Sequence, residues 1–208
     1  MKKEYVLGIL FFSGLWGVSE AFLGDALYTA NVSYASVPLT VVAFIVLSFA
    51  RACFPQKGTA TLIAALAMLY KFLDTPFFAC HLLGIVLMGI CFDLIFGTLR
   101  IKNRSLAALL TVYLSYGSFA LAITYVLRYE FWRQAGITKV LTHIGIDGSI
   151  AAVVCAVLVP LSFRLAERLR ASLASEISLS GRFAAGSVSA AAIGLWVFGV
   201  ATFFLSYL

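Results

Sequence analysis

The sequence predicts an all-α fold, a polytopic transmembrane helix bundle, and three observations lead there. Hydrophobic residues make up 62% of the 208-residue chain, and its mean hydropathy is +1.03. Apolar stretches recur along the whole length, at 5–23, 36–50, 59–70, 80–98, 105–127, 149–163 and 183–207. Short basic segments interrupt them at near-regular intervals. A soluble domain of this size cannot hide so much apolar side chain in one core. A bilayer can, because lipid is the apolar solvent and each helix closes its own backbone hydrogen bonds. A span needs about 20 residues, so the chain holds about six or seven spans joined by short loops.

The first helix follows Met1-Lys2-Lys3-Glu4. This start mimics a signal peptide, but Trp16, Glu20 and Asp25 follow without a convincing small-residue cleavage site, so a retained helix is expected. Segment 24–35 is polar, small and aromatic with no basic residue, and reads as a loop able to fold over a site. Segment 59–73 is short and ends in Lys71-Phe72-Leu73-Asp74-Thr75-Pro76, so it is either a tilted short helix or a partly re-entrant one. In segment 128–148, Tyr129, Phe131 and Trp132 suit an interfacial belt, and Trp132–Ile146 an interfacial helix. Leu165, Leu169 and Leu173 have helical spacing, so 164–176 either extends the sixth helix or lies on the membrane surface. The polar stretches 128–148 and 164–182 are too short to form a soluble domain.

The net charge is +6 and the pI about 9.3. The basic residues sit at helix ends, so topology explains them better than nucleic acid does. With the N-terminus in the cytoplasm, the inner side carries Lys2, Lys3, Arg51, Lys57, Arg100, Lys102, Arg104, Arg164, Arg168, Arg170 and Arg182. The outer side carries only Lys71, Arg128, Arg133 and Lys139. That bias follows the positive-inside rule along the whole chain. Cys53, Cys80, Cys91 and Cys155 form no C-x-x-C pair and read as small apolar fillers. No phosphate-binding G-x-x-x-x-G-K-[ST] run occurs, so any use of ATP falls to a partner. No cofactor is implied.

Ionisable groups in hydrocarbon are costly, and each needs a reason. Glu20 lies near the outer end of helix 1, and Lys71, Asp74 and His81 cluster at the outer junction of helices 3 and 4. These four fall at a similar depth and are expected to converge on an outward-facing cavity. The plainer alternatives are a local Lys71–Asp74 pair that snorkels to the interface and an interhelical structural bond for Glu20. His81 is either a hydrogen-bonded structural residue or, with Glu20 and Asp74, part of an oxygen/nitrogen metal site. Asp93, nearer the inner end, is expected to pair with Arg100 or a neighbouring helix. His143 and Asp147 are spaced i,i+4, which fits a metal pair but fits a solvated helix face better. Small residues form stripes at Ser13/Gly17/Ala21 in helix 1, and at Gly181/Ala185/Ser189 and Gly186/Ala190/Gly194 in the last helix. Such stripes let helices approach closely, either within the chain or with a separate membrane subunit.

Over roughly residues 1–170 the chain resembles the substrate-binding S components of energy-coupling factor (ECF) transporters. The resemblance rests on the stripe Ser13/Gly17/Ala21, the outer loop 24–35, and the segments Leu15-Trp16-Gly17-Val18-Ser19-Glu20 and Lys71 to Gly97. It implies a six-helix core, with residues 171–208 as a cytoplasmic linker and an additional transmembrane helix. That seventh helix departs from the family pattern, and no substrate-specific signature is present. By this resemblance the chain is a capture subunit in a prokaryotic plasma membrane, with a coupling subunit and ATPases as partners. Glu20, Lys71, Asp74 and His81 would contact a vitamin-like compound or metal ion. Trp16 would stack on a ring, Tyr28, Asn31 and Tyr34 would close the lid, and Ser13, Gly17 and Ala21 would dock the coupling subunit. Two other classes compete. One is a structural or assembly subunit of another membrane complex, which would bind no small molecule. The other is an integral membrane enzyme, for which no H-E-x-x-H, paired acidic motif or nucleophile elbow is present.

Overall fold

A computed structural model describes residues 3–73 and 79–205, and for residues 28, 73, 79, 173–188 and 202–205 it describes only the secondary structure. The described residues form seven helices and no strand. These are α1 (Lys3–Thr29), α2 (Ser36–Cys53), α3 (Thr59–Ala67), α4 (Ala79–Phe92), α5 (Arg104–Leu121), α6 (Glu130–Thr142) and α7 (Gly148–Leu205). A 3₁₀ turn, Met68–Leu73, continues α3. π-helical segments continue α4 (Asp93–Leu99), α5 (Ala122–Val126) and α6 (His143–Asp147).

Among the described residues, five apolar helical stretches are long enough to cross a membrane: Lys3–Leu27, Ser36–Cys53, Cys80–Leu99, Arg104–Val126 and Glu130–Ser172. Thr59–Phe72 and Ser189–Ala201 are shorter. Large apolar side chains remain on the outside, with Val126 76% and Val153 64% exposed. Water would penalise that surface and lipid tails accept it. The chain is therefore an all-α, multi-pass membrane bundle.

Local chemistry sets the helix ends. Pro55 disfavours helical backbone at Phe54 (φ −127°, ψ 82°), and α2 stops there. Gly58 takes a left-handed φ of 84° to open α3, a conformation glycine adopts without steric cost. Asn103 accepts a hydrogen bond from the Leu106 N–H at 3.1 Å and caps α5. The first half of the expected loop 24–35 is helix. Ala26 and Leu27 are good helix formers, so α1 runs on to Thr29 and leaves a connection of Ala30–Ala35. Asn31 and Tyr34 turn the chain there with φ of 50° and 61°.

α3 runs parallel to α1 and spans the same depth. At one end the Tyr5 and Thr59 hydroxyls are 3.1 Å apart. At the other, the Lys71 Nζ donates to the Glu20 carbonyl oxygen at 2.9 Å. The 3₁₀ turn helps α3 cover that distance, rising about 2.0 Å per residue against 1.5 Å in an α-helix. Over its described residues α3 runs alongside α1 from Tyr5 to Glu20 without turning back.

α4 then packs on α3, with Gly89 against Ala60 and Ala64. Below Gly89, Asp93 Oδ2 accepts from the Thr61 N–H at 2.7 Å and the Thr61 hydroxyl at 2.8 Å. Asp93 thus caps the start of α3, where the helix dipole favours a carboxylate. Its partner is a neighbouring helix, one of the two expected choices, and not Arg100.

The expected sixth and seventh segments both fall within α7, and 164–176 continues the helix. The stretch up to Ser172 packs against α2 and α5 and ties in through Arg104–Glu167. The stretch from Ser189 packs on α1. There Trp196 Nε1 donates to the Leu10 carbonyl at 3.0 Å, and Phe198 stacks on Phe22 at 5.3 Å. The α1 stripe is filled by the chain itself. Ser13 is fully buried, Gly17 lies under the Tyr70 ring, and Gly14 meets Leu195 and Trp196. Ala21 is half-buried. Gly181, Ala185 and Gly186 lie outside the residues whose side chains are described.

Candidate functional site

Arg51, Arg100, Arg104 and Arg170 gather at the end of the bundle where α2 and α4 finish and α5 begins. A cavity of about 610 Å³ opens at the opposite end. α1 contributes Glu20, the following turn Tyr34, and α2 Ser36 and Thr40. α4 contributes His81, Ile85 and Met88, and α5 contributes Tyr116 and Phe119. The fourth wall is α6 with its π segment: Tyr129, Phe131, Trp132, Lys139, His143 and Asp147.

Glu20 is 5% exposed and Lys71 4%. Parallel packing of α1 and α3 brings them together, as the Lys71 bond to the Glu20 carbonyl shows. Trp16 donates its Nε1–H to Glu20 Oε1 at 3.1 Å from one helical turn away. Trp16 is completely buried and is not among the lining residues. Its place is behind Glu20, orienting the carboxylate, rather than in the cavity as a stacking platform. His81 and Tyr34 line the cavity, whereas Asn31 is exposed on the turn and lies off the lining. Asp74 lies outside the described residues, as does the side chain of Tyr28. Asp93 sits at the far end as the α3 cap, away from the cavity.

The wall formed by α6 is the part that sequence reasoning underestimated. His143 Nδ1 and Asp147 Oδ2 are 2.8 Å apart, with side chains 11% and 14% exposed. The Tyr116 ring stacks on the imidazole with centroids 4.7 Å apart, and Trp132 and Phe119 close around it at 5.2 and 5.6 Å. This is an enclosed aromatic box, not a solvated helix face. Trp132 likewise turns inward instead of joining an interfacial belt, and Phe131 stays 63% exposed. The segment is anchored by its own small core, in which Trp132 and Val140 pack with Ala120 and Ile123. Gly136 (φ 64°, ψ −159°) breaks the helix between those two anchors, in a region essentially closed to other residues. The available signal was the spacing of Lys139, His143 and Asp147 at i, i+4 and i+8, which puts all three on one face.

Among the described residues, no three His, Cys, Asp or Glu side chains converge as metal ligands. The cavity instead joins aromatic and aliphatic walls to a few polar groups, among them the Thr40–Tyr116 hydroxyl pair at 3.1 Å. Its volume and lining suit a small organic molecule. Fold and site together define a multi-pass membrane protein with a ligand-sized cavity at one end of its bundle. The chain matches no protein-family model, no curated protein and no solved structure.

Proposed function

We propose that this protein is a membrane-embedded capture subunit, the substrate-binding component of an ECF-type importer in a prokaryotic plasma membrane. The observation that carries the reading is the 610 Å³ cavity, apolar and aromatic with convergent polar groups. The arginine-rich end would face the cytoplasm by the positive-inside rule, which puts the cavity on the outer side. Glu20, His81 and Tyr34 contact the substrate in this reading, and Lys71 and Trp16 hold Glu20 in place. In this reading energy comes from partner ATPases. The coupling subunit meets a surface other than Ser13 and Gly17 as they stand, since Tyr70 covers Gly17 and Ser13 is sealed inside the chain.

Native mass spectrometry of the gently purified protein tests this. A co-purifying small molecule is expected, together with an ATPase and a coupling subunit. Gly84→Leu provides the control. A Cβ at Gly84 would make ordinary 3.7 Å contact with Phe119, so the bundle tolerates it while the rest of the side chain fills the cavity. The variant should keep its thermal midpoint and lose the small molecule. A clean protein bound only to another membrane complex would transfer the assignment to the assembly role.

A further inference from the structure

The charged groups that line the cavity are already engaged. Glu20 accepts from Trp16, and Asp147 holds His143. The Lys139 ammonium lies over the Trp132 and Phe131 rings, 5.6 and 5.9 Å from their centroids. A neutral ligand leaves these contacts intact. One ring nitrogen is different. His143 uses Nδ1 for Asp147, and its Nε2 has no hydrogen-bond partner among the described residues. Nor is Nε2 among the sealed, unsatisfied polar atoms, so it is accessible, and His143 lines the cavity. In a neutral imidazole that donates Nδ1–H to a carboxylate, Nε2 carries the lone pair and is an acceptor. Flat rings wall this position: Tyr116 along the imidazole face, Trp132 and Phe119 at its edges.

We propose that His143, held in one tautomer by Asp147, selects an uncharged planar ligand that donates a ring N–H or hydroxyl to Nε2. The assignment rests on the capture reading above and deepens it. Asp147 is a positioning residue that acts through His143. The aromatic walls reward a flat ligand, and an acceptor left unpaired beside them rejects an analogue that cannot donate.

The test uses the full-length protein in lipid nanodiscs, with empty nanodiscs as blank, at about pH 8 so that an ordinary histidine of pKa about 6.5 is neutral. The probes are benzimidazole and 1-methylbenzimidazole, which share a ring system but differ in the N–H. Ligand-observed NMR should show benzimidazole binding about tenfold more tightly or better. His143→Phe keeps the aromatic bulk and removes the acceptor, so the preference should fall to about one. A second readout needs no variant. The chain has 2 histidines, and ¹⁵N spectra should show one of them with Nε2 unprotonated and shifting with benzimidazole but not with its N-methyl analogue. Asp147→Asn should scramble that tautomer. Equal affinity for the two probes, a preference that survives His143→Phe, or an Nε2-protonated neutral tautomer overturns the proposal. If Gly84→Leu abolishes binding of both probes while His143→Phe alters neither, the capture cavity stands and the role of His143 falls. If the native protein binds neither probe, the proposal falls, and native mass spectrometry decides separately whether the cavity captures anything.

Discussion

Replacing Gly89 with alanine is expected to destabilise the protein by about 3 kcal/mol. A Cβ there would lie 2.4 Å from the Ala64 Cβ and 2.7 Å from the Ala60 carbonyl oxygen. Neither neighbour is the free end of a flexible side chain. One is a methyl fixed to its helix and the other is backbone, so α3 and α4 must separate as bodies. Separation would also pull Asp93 off the start of α3, because both contacts lie along one interface. Gly117→Ala is the control. Nothing lies within 4 Å of a Cβ at that position, so its stability should be unchanged or slightly raised. Equilibrium unfolding of both variants in mixed micelles measures the difference. Equal stabilities would mean that α3 and α4 do not meet at Gly89.

Asp93→Ala should cost a similar amount, about 3 kcal/mol, by a different route. Two short hydrogen bonds to Thr61 vanish, and the partly buried Thr61 N–H at the start of α3 is orphaned. Arg51 loses a nearby countercharge as well. Asp93 and Arg51 come together over Gly97, where a Cβ would lie 3.3 Å from Asp93 Oδ1 and 3.6 Å from Arg51 Nη1. Thr61→Val removes only the hydroxyl bond and should cost about 1 kcal/mol. Asp93→Asn keeps an acceptor for the N–H and should fall between the two. The same unfolding measurement orders the three variants, and a Thr61→Val penalty as large as that of Asp93→Ala would contradict the capping role.

The class of fold was legible because apolar stretches of spanning length and their basic flanks are local properties of the chain. The shared depth of Glu20 and Lys71 was legible too, but Lys71 bonds the Glu20 main-chain carbonyl and is not among the residues lining the cavity, where sequence reasoning places it. Trp16 was misread because its type suggests a platform, whereas its i,i+4 spacing to Glu20 offered a hydrogen bond within one helix. The Ser13/Gly17 stripe announces close helix approach but cannot say which helix approaches. The answer depended on Tyr70 and Trp196, distant in sequence. The α6 wall was underestimated for the same reason. Its polarity and its aromatic residues made 128–148 look like an interfacial segment with a solvated face, and only the packing of Trp132 and Val140 on α5 turns His143 and Asp147 inward.

The shortness of α3 reaches beyond the protein into the lipid. With the α-helical part rising about 1.5 Å per residue and the 3₁₀ part about 2.0 Å, the described stretch Thr59–Phe72 rises about 24 Å, against a hydrocarbon thickness of about 30 Å. A neighbouring bilayer answers such a mismatch by thinning, and headgroups and water dip toward the short segment. The end of α3 that carries Lys71 stands beside Glu20, which lines the cavity. The dimple would form on the Glu20 side of the site, so a water-borne ligand approaching there would cross less than a full leaflet of lipid.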